Sequence, residues 1–342
     1  MGPPRLGACT RSRASLLSAP KVLVVGAGAV GQAYALALSR AGAEVCFFIK
    51  PHHEARLATG MPIREVGLFR QGPLMELSDL PRIHDWQQVA DTEWHSIWLA
   101  VDSTALHGDW VGALGQARGD ASIVLFQTGT SARDHLTATV PHSVRVSGMI
   151  PFLAWWSPLE PHASQADPPH MCVWHPPLMH TPLSGPVERV NAVAALLRSG
   201  GFGARTLENA AVQGAMGSAV LLPTIAGLEL HGWRLRALTI RKNLEPVLTA
   251  IAEAQVLTAH IHGVSAPPPW LLQPMLVALG ARLAPLVVPL DLETYLRVHF
   301  TKVGAQTTAA LADLCAAAEA IDTPTPALTA LLDALQEQRA KA

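Results

Sequence analysis

Apolar residues change their spacing once along this chain. In the first half they fall in short continuous runs. Lys21–Val25 (KVLVV) is the pattern of a strand buried on both faces. GAGAVG follows at 26–31, then residues 32–41 with Tyr34, Leu36 and Leu38 among alanines, closed by Gly42 as a helix stop. Residues 44–49 (EVCFFI) form the next strand. Strand, glycine turn, helix and strand within about 30 residues make a βαβ unit with a right-handed crossover. The runs at 96–101 (SIWLAV) and 122–126 (SIVLF) extend the sheet, and 144–156 reads as a further strand entering a loop. Residues 157–186 are rich in Pro and His, with a short strand expected at 171–174. After about Asn209 the spacing becomes helical, in Ala/Leu-rich segments near 210–222, 234–262, 291–319 and 325–340. The expected class is α/β: an N-terminal Rossmann-type doubly wound parallel sheet followed by an all-helical C-terminal domain. The expected division is a disordered extension at 1–20, the sheet domain at 21–207 and the helical domain at 208–342.

A length of 342 residues suits two domains. Lys plus Arg number 25 against 26 Asp plus Glu, a net charge of −1 that gives no broad basic surface for nucleic acid or anionic membrane. Charged residues make up only 15% of the chain, where ~25% is usual. Surplus apolar surface of this kind implies a sizeable subunit or interdomain interface; a homodimer is expected. No run of about 18 uninterrupted apolar residues occurs. Residues 270–290 come nearest but hold Gln273, Arg282 and three prolines, so no membrane partner is expected. Cys9, Cys46, Cys172 and Cys315 lack CxxC spacing, which fits a reducing, cytoplasmic setting. The first 20 residues carry three arginines and no acid, a weak transit-peptide pattern beside the disordered reading.

Gly26, Gly28 and Gly31 make G-x-G-x-x-G between a strand and a helix, so Gly26, Ala27, Gly28, Ala29, Val30 and Gly31 are the expected phosphate-binding turn of a dinucleotide. The phosphates would sit at the positive end of the helix. Sites selective for NAD place an Asp or Glu about 20 residues on, at the end of the second strand. Here that place holds Lys50, followed by His52 and His53. A cation pairs with the 2′-phosphate of NADPH, which is the expected cofactor.

KVLVVGAGAVGQAYALALSRAGAEV, Lys50, GMIPF at 148–152 and FTKVG at 300–304 together resemble the ketopantoate reductase (2-dehydropantoate 2-reductase) family, from about residue 20 to 335. The resemblance implies an NADPH-dependent reductase with its active site between a Rossmann domain and a helical domain, acting on a small-molecule carbonyl substrate, ketopantoate in the family reaction. It also implies a cofactor role for Lys50 and, at the place of the family's Asn-Gly turn, for Gln127. The family's catalytic lysine falls at Gly214 and its asparagine at Ser218, and no lysine occurs between Lys50 and Lys242. A second family lysine falls within 101–104 (VDST) and is also absent. The family's active-site glutamate is replaced by Lys302.

Hydride addition to a ketone builds negative charge on oxygen, which a positioned acid must neutralise. Lys302, with Ser218 as a hydrogen-bond donor, is the expected catalytic pair. Glu229, His231 and His299 are alternative acids, and Trp155–Trp156 are candidates to line a substrate pocket. His162, His170, His175 and His180 lack the tight spacing of a zinc site, and no metal is expected. No G-x-S-x-G elbow supports a hydrolase. Two other readings stay open: a reductase of a different carbonyl or imine, and a non-catalytic NADPH-binding sensor.

Overall fold

Strand β1 (Lys21–Val25) is covered on both faces: Val22 and Val24 enter one core, Leu23 and Val25 the other. That division follows from the alternation of side chains along a strand, and the rest of the N-terminal architecture grows from it. The computed structural model describes residues 19–58, 60–127, 130–160, 169–268, 270 and 273–341. The extension expected at 1–20 falls almost wholly outside them.

Along the first half run α1 (Ala29–Arg40), β2 (Glu44–Phe48), α2 (Glu54–Ala58), β3 (Pro62–Val66), β4 (Gln71–Glu76), β5 (Arg82–Ile83), α3 (Trp86–Ala90) and β6 (Ser96–Leu99). Then come α4 (Trp110–Ala117), β7 (Ser122–Leu125), α5 (Thr130–Thr139), β8 (Arg145–Gly148), β9 (Leu153–Ser157), β10 (His170–Trp174), β11 (Thr181–Ser184), α6 (Val187–Ser199) and β12 (Ala204–Thr206). The main sheet has the order β12-β11-β8-β7-β6-β1-β2-β5, parallel except where β11 meets β8. Helices α1 and α6 cover one face, and α3, α4 and α5 cover the other through Val89, Val111, Leu114 and Leu136. The doubly wound fold class expected from the sequence is therefore present.

A second sheet, β4-β3-β10-β9, was not expected beyond its β10 strand. Its strands escape a reading by periodicity because β4 is an exposed edge containing Pro73, and β3 buries only Ile63. One face packs Met61, Ile63, Met171 and Val173 onto α1. The other presents Trp155, Cys172 and Trp174.

The second half comprises α7 (Ala210–Leu230), α8 (Arg241–His262), α9 (Pro274–Val287), α10 (Leu292–Lys302), α11 (Gly304–Ala320) and α12 (Pro326–Ala340). Helix α7 runs past the expected end at 222, through Pro223, where one backbone rung is lost. By length and hydropathy it could cross a membrane, but Ala219, Ile225, Ala226 and Leu228 are spent in the helical core. The segment expected as one helix at 291–319 breaks at Val303 into α10 and α11. Helix α9, in the stretch weighed as a membrane span, is an addition. Glu253 on α8 accepts from the first-turn amides of Ala327 (3.1 Å) and Leu328 (2.8 Å), fixing the start of α12.

The halves meet where Tyr295 of α10 packs on Trp155, Cys172 and Trp174, with the Trp155 and Tyr295 rings 6.3 Å apart at 76°. Burial pushes the Tyr295 phenol up to about 12. Arg297 pairs with Glu160 beside it. Trp155 is thus core, while Trp156 points outward.

His175, just past β10, lies 4.0 Å from the Phe202 ring and 5.1 Å from Phe152, with its Nε2 buried and without a partner among the described residues. Burial holds its pKa below the ordinary imidazole value, and Glu65 offsets this only in part. A histidine kept neutral by the fold contributes stability that is complete above the unfolded pKa of ~6.5 and is lost as pH falls through the lower folded value. In urea titrations between pH 7.5 and 5.5, His175→Leu is expected to lose less stability on acidification than the wild type. Parallel losses in the two proteins would remove His175 from the account.

Candidate functional site

Parallel strands leave all their following loops on one edge of a sheet, and ligands of open α/β folds bind at that edge. Here it gathers the glycine turn after β1, Lys50 after β2, 101–103 after β6, Gln127 after β7 and 149–152 after β8.

Gly26 has φ +98° and its amide donates to the Phe48 carbonyl (2.9 Å), tying the turn to β2. A Cβ on Gly31 would stand 2.0 Å from the Gly26 carbonyl oxygen, so only glycine lets α1 start this close to β1. Gly28, the N-cap of α1, has open space where its Cβ would be, and no side chain caps the helix. Gln32 donates from Nε2 to the Ala27 carbonyl (2.9 Å), while its Oε1 is buried without a partner among the described residues. A turn open at Gly28 and a helix start whose first amides no side chain caps leave N–H donors free for a bound pyrophosphate.

Lys50 is exposed at the N-cap of a 3-10 turn formed by residues 51–53. The His53 pKa is lowered by its loss of hydration and by the positive charges of His52, Arg56 and Lys50. The nearby acid, Glu54, is engaged by Arg82 (2.8 Å) and His84 (3.2 Å). The corner beside β2 is therefore cationic.

Gln127 is at the expected edge, but its side chain is committed to the protein. Nε2 donates to the carbonyls of Leu99 (3.0 Å) and Val101 (2.6 Å), and Oε1 accepts from the Phe126 amide (3.1 Å). It fixes the loops after β6 and β7 relative to each other. Asp102 is similarly occupied, accepting from the Thr104 hydroxyl (2.5 Å) and the Ala105 amide (2.8 Å).

The helical half closes over this edge at two points. Gly217 of α7 faces Met149, whose sulfur would be 3.9 Å from a Cβ there. Gln306 of α11 donates to the Ser103 hydroxyl (2.8 Å). Ser218 follows Gly217 and is half-buried, and Gly214, one turn earlier, is buried. Lys302 is exposed at the end of α10, across the break at Val303 from Gln306, and no carboxylate pairs with it among the described residues. His299 stacks on Tyr295 (5.5 Å, 17°), and desolvation, then Lys302, hold it below the usual imidazole value.

The other weighed acids have structural partners. Glu229 binds Arg339 through two contacts of 2.6 Å, and Arg339 also donates to the Gly304 carbonyl (2.7 Å). The Nδ1–H of His231 donates to the Gly227 carbonyl (2.8 Å). His162 lies outside the described residues, among which no group of His, Cys, Asp and Glu is arranged to hold a metal. The Gln306–Ser103 bridge was missed by the sequence reading. Its only trace there is the position of Gln306 four residues after Lys302.

Fold and edge together define a Rossmann-type domain with a helical domain seated on its carboxyl edge. Residues 22–158 match the family model described as ketopantoate reductase PanE/ApbA, which bears out the family resemblance read from the sequence. Among solved structures, 2-dehydropantoate 2-reductase from Geobacter metallireducens GS-15 superposes with a TM-score of 0.70 at 14% identity, covering 93% of this chain and 99% of the other. A ternary structure of D-mandelate dehydrogenase with NADH and anilino(oxo)acetate gives 0.70 at 15% identity, over 94% and 99%. A dimeric ketopantoate reductase from Staphylococcus aureus gives 0.65 at 12% identity, over 94% and 99%. At these identities the likeness establishes the fold. No curated protein sequence matches the chain.

Replacing Gln127 by Ala frees two loop carbonyls and an amide at the site's floor. A loss of about 2 kcal/mol in unfolding free energy is expected. It is read from the urea midpoint, and an unchanged midpoint would mean that water replaces the amide at no cost.

Proposed function

We propose that this chain is a reductase transferring hydride from NADPH to a 2-keto acid or related carbonyl, ketopantoate being the family's substrate. The observation that carries the reading is the open glycine turn beside a cationic corner, within the segment matched by the ketopantoate reductase model. The printed names of structural neighbours support oxidoreductase chemistry on a keto or hydroxyl group, one of them with NADH. A homodimer is proposed as well, in keeping with the dimeric neighbour. The cytoplasmic setting remains the proposal for location.

In this reading residues 26–31 hold the pyrophosphate and Lys50 the 2′-phosphate. A bound nicotinamide supplies the hydride. Lys302 supplies positive charge and a proton to the ketone oxygen as the carbonyl becomes an alcohol, and Ser218 donates a hydrogen bond from the opposite helix. The Lys302 ammonium recovers its proton from water.

The buried Gly214 favours a second reading. Where the family resemblance places its catalytic lysine, this chain has no side chain at all, which is what a cofactor-binding protein without turnover would show.

NADPH oxidation assayed with ketopantoate and a panel of other 2-keto acids separates the two. Lys302→Ala is expected to lower kcat at least about 100-fold while leaving the NADPH Kd, read by fluorescence, within about twofold. Unaltered turnover would remove Lys302 from the chemistry, and tight NADPH binding without turnover on any substrate would favour the sensor. Lys50→Glu is expected to raise the KM for NADPH about tenfold, the scale of one charge-assisted hydrogen bond, with little change for NADH. Equal effects on both cofactors would overturn the 2′-phosphate role.

A further inference from the structure

Helix α9 has no buried residue, although it is one of the least polar segments of the chain. Val277 and Ala278 touch the helical core. On the opposite side Met275 (74% exposed), Leu279 (50%), Leu283 (47%) and Leu286 (80%) form an outward ridge at successive helical turns. Val256 on α8 continues the apolar surface. Between the two helices runs a groove of about 530 Å³, with Val256, Pro267 and Pro274 among its walls.

Monomeric proteins rarely leave such a patch bare. The exposed apolar side chains of α9 together with Val256 present roughly 700 Å², close to the roughly 800 Å² per partner of a standard interface. We infer that this face is where a second copy of the chain docks, the α9 ridge of each protomer entering the α8–α9 groove of the other. The inference rests on the homodimer proposed above and names its surface.

Three features favour a second copy over other occupants. Ridge and groove lie side by side on one molecule, the self-complementary arrangement a two-fold axis requires. Arg282 is the only charged residue of α9, and Glu245, the only charged residue lining the groove, is paired on its own helix with Arg241 (2.5 Å), so the groove presents no unpaired charge to the apolar ridge. A helix built to lie on a bilayer carries Lys and Arg along its polar border, and α9 has a single cation.

The test is the mass of the full chain in solution at micromolar concentration, by sedimentation equilibrium, for the wild type and for the double variant Leu279→Glu/Leu283→Glu. The expected result is a wild-type dimer whose dissociation constant rises at least about 100-fold in the variant, with helical content and NADPH affinity preserved. Leu286→Lys, a single change at a more exposed position, provides the same readout should the double variant fail to fold. A variant that remains dimeric with unchanged affinity overturns this surface while leaving the homodimer standing. A monomeric wild type overturns both. Flotation of a monomeric wild type with vesicles of phosphatidylcholine and phosphatidylserine, lost in the variant, overturns the inference in favour of a membrane surface.

Discussion

The close approach of α1 to β1 is the constraint on which the site depends. With no Cβ at Gly31, the first turn of α1 lies against the Gly26 carbonyl, where a methyl group would stand 2.0 Å from the oxygen. This lets Tyr34 sink fully into the sheet, stacked on Phe126 at 4.5 Å and edge-on to Phe152 at 5.1 Å. Those contacts join the βαβ unit to the loops after β7 and β8. The same approach that opens the turn to a phosphate therefore also sets the distance between the turn and the distal wall of the cleft.

The helical half is placed by a different kind of contact. The second sheet offers α10 an apolar face of Trp155, Cys172 and Trp174, and Tyr295 covers it. Past Val303 the chain turns into α11, whose start is held by the Arg339 guanidinium on the Gly304 carbonyl. Because Arg339 is bound to Glu229 at the same time, the end of α7, the start of α11 and the end of α12 share one cation. Lys302 sits between these two fixed points. Its backbone is anchored on both sides while its side chain is exposed.

The legible parts of the sequence were those in which one short pattern carries the whole determinant. KVLVV buries both faces, and the glycine spacing has a single steric reason, so β1, α1 and the turn between them could be read directly. The second sheet could not, because β3 and β4 owe their existence to β10, which is distant in sequence, rather than to alternation of their own. The break at Val303 was hidden for a related reason: both flanking segments keep helical spacing, and only the docking of α10 on the second sheet and of α11 on Ser103 turns the chain there. At the site, residue types were legible but commitments were not. Nothing in Gln127, Asp102 or Glu229 as letters tells that each is consumed by a local partner, since those partners arrive from β6, the adjacent loop and α12.

That consumption narrows the chemistry. A group that is to move a proton must be within reach of substrate and not already locked in a bidentate ion pair or a cap. Glu229 and Asp102 fail the second condition, His231 uses one ring nitrogen on its own helix, and Gly214 offers nothing. Lys302 and His299 remain, one turn apart on α10, with the histidine held neutral by its surroundings and by the lysine itself. The two differ in what they can give a developing alkoxide: an ammonium brings a full positive charge, whereas a neutral imidazole brings only a dipole. In the proposed reaction, charge building on oxygen favours the full charge, which is why Lys302 rather than His299 is the acid proposed.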